Sequence, residues 1–83
     1  MTKDEFMVYA DNYDNSIAFI GIFDGGIELF NSLSDIAAIY TETPHLLFRE
    51  YNDDILIFDE HGNLAFHAFK VYKALLLETA VSR

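Results

Sequence analysis

Ile17-Ala18-Phe19-Ile20-Gly21-Ile22-Phe23 is apolar at every position, so the segment has no polar face to turn towards water. A β-branched and aromatic run of this length fits a central strand of a sheet, and it falls far short of the ~20 residues that span a bilayer. Asp24-Gly25-Gly26 interrupts it and Ile27-Glu28-Leu29-Phe30 returns, which predicts a hairpin. The rest of the fold must supply neighbours for that inner strand.

Further strands follow from the same punctuation. Leu46-Leu47-Phe48-Arg49-Glu50-Tyr51 suits a strand, although Thr43-Pro44 just before it is also a good helix start. Asn52-Asp53-Asp54 turns into Ile55-Leu56-Ile57-Phe58, and Asp59-Glu60-His61-Gly62-Asn63 turns into Leu64-Ala65-Phe66-His67. These three strands are expected to form an antiparallel meander, with His67 at the sheet edge and His61 in a turn.

Three helices complete the expectation. Thr2-Lys3-Asp4-Glu5 is a capping box, and the helix it opens carries Phe6, Tyr9, Ala10 and Tyr13 on one arc and Asp4, Val8 and Asp11 on the other. It ends in the turn-forming cluster at 12–15. Ser32 or Ser34 caps a short helix over 35–40. From about Ala68 the residues are strong helix formers, and Phe69, Tyr72, Leu75, Leu76 and Ala80 share one arc of a closing helix. The predicted class is α+β: one small domain over residues 1–83, an antiparallel sheet of about five strands, and N-terminal, short middle and C-terminal helices.

Charge then limits function. The 83 residues hold 14 acids and 5 bases, net −9. The first 60 hold 13 acids against Lys3 and Arg49, net −11, and the last 23 hold 1 acid against 3 bases, net +2. Such a body repels a phosphate backbone and an anionic membrane, so neither direct nucleic-acid binding nor membrane binding is expected. With 52% hydrophobic residues the chain is too apolar for a disordered acidic tail. The absence of cysteine leans towards a reducing compartment, and two acids occupy the place of a signal peptide's basic region; a cytoplasmic protein is expected.

Chemistry-bearing patterns are sparse. His45, His61 and His67 lack the spacing that puts two imidazoles on one helical face, and the loop at 59–63 lacks the alternating acids of an EF-hand. The serines at 16, 32 and 34 read as turn or cap residues, and Asp53-Asp54 as an exposed turn. Gly21, Gly25, Gly26 and Gly62 form no phosphate-cradling loop, and the phenylalanines alternate along strands as core. No enzyme activity, cofactor or metal is expected.

Two contact surfaces are expected. Asp4, Glu5, Asp11, Asp14, Asp24, Asp53, Asp54, Asp59 and Glu60 lie on the first helix and the turns, where they are either ordinary solvated surface or one anionic face for a basic partner. About 30 Å of duplex DNA carries about 18 phosphates, roughly half of them facing one side, so thirteen carboxylates suffice in number if most converge. On the closing helix, Leu77 and Val81 fall between Lys70 and Lys73, opposite the main apolar arc, and suit a homodimer or partner contact.

In composition and size the chain resembles the acidic DNA mimics found among phage anti-CRISPR and anti-restriction inhibitors. That resemblance implies a non-catalytic inhibitor or modulator of a basic, nucleic-acid-binding defence protein, acting through its carboxylates. The alternative is a structural or assembly domain that homodimerises through the C-terminal helix.

Overall fold

The structure, a computed structural model, describes residues 1–40 and 45–76. Helix α1, Lys3–Asp11, starts where the capping box predicts: the Glu5 N–H donates to the Thr2 hydroxyl at 3.2 Å, and the Glu5 carboxylate reaches back to Thr2. Strand β1, Ile17–Phe23, and strand β2, Gly26–Phe30, form the expected hairpin around Asp24-Gly25. Helix α2, Leu33–Ala37, is capped by Ser32, whose hydroxyl accepts from the Asp35 N–H at 3.1 Å, and it runs into a 3₁₀ turn at Ala38–Tyr40. Strands β3 (Leu47–Tyr51), β4 (Asp54–Phe58) and β5 (Leu64–Tyr72) form the meander. Asn52 opens the β3–β4 turn at φ 53°, a left-handed conformation that asparagine tolerates better than most residues.

All five strands join one antiparallel sheet in the order β2-β1-β5-β4-β3, so the α+β class is that of the sequence reading. Two expectations change. The closing helix does not begin near Ala68: residues 68–72 are the second half of β5, and helical backbone starts at 73–76. His67 is not at an edge, because β5 is the middle strand. The reason is the same for both. β5 is bonded to β4 up to Phe69 and to β1 from Ala68 to Tyr72, and a slot bonded on both sides outweighs the modest helix preference of Ala68 and Lys70. The remainder of the expected closing helix, with Leu77, Ala80 and Val81, lies outside the described residues, as does Thr43-Pro44.

The register separates two faces. Paired residues Phe30, Phe19, Ala68, Ile55, Ile57 and Phe48 point to the side covered by α1 and α2, where they pack with Phe6, Ala10, Leu33, Ile36 and Ala37. Gly21 sits beneath the rings of Phe30 and Phe66 on that side. Helices α1 and α2 both pack on that side, away from the other face, which carries Leu29, Ile22, Phe69 and Leu47 among others.

Candidate functional site

Strand direction decides where the acids go. β1 and β4 run one way and β5 the other, so the β1–β2 and β4–β5 turns share one end of the sheet and the β3–β4 turn lies at the opposite end. Thr2 bridges His45, just ahead of β3, which brings the first turn of α1 to the first end. The first end therefore gathers Asp4, Glu5, Asp24, Asp59 and Glu60. Asp11, Asp14, Asp53 and Asp54 belong to the second. The nine residues form two groups, divided by the length of the sheet.

Several of these carboxylates are fixed by neutral donors. Asp59 accepts the N–H groups of Asn63 and His61, both at 2.9 Å, and these bonds hold its pKa below the ordinary value. Asp14 accepts the Ser16 hydroxyl at 2.7 Å and the Ser16 N–H at 2.9 Å, with the same effect on its pKa. Asp11 accepts the Ser34 hydroxyl at 2.7 Å. Asp54 is different, because it faces His67 at 3.0 Å on the side of the sheet away from α1 and α2. At the first end, the His61 imidazole lies 3.6 Å from the Glu60 carboxylate. Among the described residues, no ion pair at that end involves a lysine or arginine.

The four residues expected to flank a contact on the closing helix separate as well. Lys70 is a β5 residue on the helix-covered side, where its ammonium meets Glu50 at 3.0 Å, so it does not flank Leu77 on a helix. The Lys73 N–H donates to the Ser16 carbonyl at 2.9 Å, extending the β1–β5 pairing. Leu77 and Val81 lie outside the described residues.

The Glu50 cluster carries no signal in the sequence. Tyr9 donates to one carboxylate oxygen at 2.6 Å, and Tyr13 and Lys70 donate to the other at 3.0 Å each. Burial alone would raise the pKa of Glu50, but the bonds from Tyr9, Lys70 and Tyr13, with the Lys70 charge, together lower it. Burial and the same carboxylate push Tyr9 up to about 12 and Tyr13 higher still. The cluster ties α1 to β3 and β5. Beside it lies a cavity of about 70 Å³ lined by Ile17, Asp53, Lys70, Val71 and Tyr72, too small for a substrate by comparison with typical pockets of roughly 300–1,000 Å³.

No family model matches the chain, and no curated protein or solved structure matches it. The functional reading therefore rests on the molecule itself. A wider, open notch of about 340 Å³ lies where β1 and β5 part beyond Gly21, between Phe23, Asp24, Phe66 and His67. Among the described residues, no three metal-ligating side chains converge there or elsewhere. No described helix is long and apolar enough to cross a membrane.

Proposed function

We propose that the protein is a non-catalytic binding module that offers the first end of its sheet to a basic protein surface, competing there with nucleic acid as a DNA mimic does. One observation carries the reading: five carboxylates share that end, and among the described residues none pairs with a lysine or arginine. With Lys3 and the Met1 ammonium at the same end, the five carboxylates leave a net charge of about −3, a negative field that steers a cationic channel towards it. The scale is adequate. Four strand spacings of ~4.8 Å make the end about 19 Å wide. Duplex DNA of that length carries about 11 phosphates, roughly half of them on one side, so five carboxylates approach the count a phosphate-binding channel meets. Attachment to turns closed by backbone hydrogen bonds, as at Asp59, limits the entropy lost when the carboxylates are docked.

The test is affinity capture from lysate at low salt, with elution by a salt gradient and by duplex DNA. The reading expects a basic protein that DNA displaces, and a bound fraction that falls steeply with salt. Reversing Asp24, Asp59 and Glu60 to lysine should abolish capture, whereas reversing Asp11, Asp14 and Asp53 should leave most of it. Capture unaffected by the first reversal, or indifferent to DNA, refutes the reading.

A further inference from the structure

The face of the sheet turned away from α1 and α2 is a feature that the acidic ends do not explain. Ile27 and Leu29 of β2, Ile22 of β1, Phe69 of β5, and Leu47 and Tyr51 of β3 stand on it in register. Phe69 lies on the middle strand, where four neighbouring strands should shelter it, yet it is 42% exposed, and Ile27 is 73% exposed. Ala18, the smallest side chain of the face, is fully buried. An apolar sheet face is not a stable endpoint in water, because each exposed side chain orders or displaces solvent that burial would release.

We propose that this face is an interface between two copies of the chain. Charge argues for a copy over other occupants. The ionised side chains that the register sets on this face are Arg49 and Asp54, which cancel, while the acids that make the net charge −9 lie at the ends of the sheet and along the helix side. Two copies can therefore meet there without bringing their negative surfaces together. A basic protein finds no complementary charge on this face, and a nucleic acid finds too few cations.

Area argues the same way. Five strands at ~4.8 Å spacing and about five residues of length at ~3.3 Å give a projected face of about 400 Å². With side-chain relief, two copies would bury on the order of 1,100 Å² in total, just above the ~1,000 Å² expected of a specific interface and in keeping with micromolar affinity. The two sheets would stack ≈ 10 Å apart with strands roughly aligned, as in a sandwich.

Sedimentation velocity of the full chain over a concentration series tests this. The wild type should pass from monomer to dimer, and the dimer should survive high salt, which the acidic contact proposed above does not. Phe69→Lys and Leu29→Lys should each weaken dimerisation by at least about tenfold with an unchanged circular dichroism spectrum. Should Phe69→Lys fail to fold, Leu29→Lys on the edge strand carries the test. Leu77→Glu should remain a dimer. A wild type that stays monomeric, face variants that dimerise normally, or a Leu77→Glu chain that becomes monomeric each overturns the proposal. The last outcome would put the contact on the closing helix instead. Salt-resistant dimerisation and salt-sensitive capture are read separately, so either proposal can fail alone.

Discussion

Gly21→Ala should destabilise the protein although it adds a single methyl group to a buried strand. A Cβ at this position would lie 2.8 Å from Phe30 Cε2, 2.9 Å from Phe66 Cζ and 3.3 Å from Phe23 Cε2. Carbon atoms prefer about 3.5–4.0 Å, so two rings must each retreat by roughly 0.7 Å. They cannot move independently of each other. Phe30 and Phe66 meet edge to face with centroids 5.7 Å apart, and Phe23 closes the group 5.6 Å from Phe66. Backbone strain is not involved, because among the described glycines positive φ occurs at Gly26 and Gly62. Overpacking of this sort costs about 1–3 kcal/mol, offset by ~0.5–1 kcal/mol from the lower entropy of the unfolded chain when glycine is replaced. A net loss of about 1–2 kcal/mol should lower Tm by roughly 4–16 °C in a domain of this size. Urea unfolding followed by circular dichroism measures it, and the pair Gly21→Ala with Phe66→Leu gives the mechanism. The smaller side chain should make room, so that the double variant loses about 1 kcal/mol less than the two single losses added. A Gly21→Ala chain as stable as wild type, or losses that simply add, would refute the steric argument.

Other expectations follow from single contacts. The lowered pKa of Glu50 contributes stability that is present above its ordinary pKa and is lost as pH falls through the folded value, so acid unfolding titrations should show a smaller loss in Glu50→Gln than in wild type. At neutral pH the same substitution should cost about 1 kcal/mol, the carboxylate being partly exposed. The raised pKa of Tyr9 has the opposite sense: its contribution is complete below the ordinary value of 10 and fades as pH rises towards 12, which absorbance-monitored alkaline unfolding can follow. Thr2→Ala removes the α1 capping box and should cost about 1 kcal/mol in chemical denaturation. Asn52→Ala should cost about 1 kcal/mol through its left-handed φ, whereas Asn52→Gly should be neutral or stabilising in the same assay.

Local chemistry was legible in the sequence. The Thr2 cap, a serine cap at 32 or 34, the Asp24-Gly25 turn and the three strands of the meander each depend on residues within a few positions of one another, so short-range pattern sufficed for these, and the structure chose Ser32. The acidic residues were legible as a count but not as a surface. Their division into two ends follows from strand direction and order, which no local pattern carries. The Glu50 cluster was invisible for a related reason: Tyr9, Tyr13 and Lys70 stand 41, 37 and 20 positions away along the chain.

Residues 68–72 mark the boundary most clearly. By itself the sequence determined where strands, turns and caps begin, because hydrophobic period and capping chemistry act over one or two turns of chain. It left Ala68–Tyr72 looking helical. Only the tertiary structure decided that they complete the central strand, because β1 pairs with the segment along its length while β4 pairs with Ala68 and Phe69 and the Asp53 carbonyl accepts the Lys70 N–H. The same decision moved Phe69 from a helix arc onto the face away from α1 and α2, took Lys70 to Glu50, and so created the apolar surface on which the dimer proposal rests.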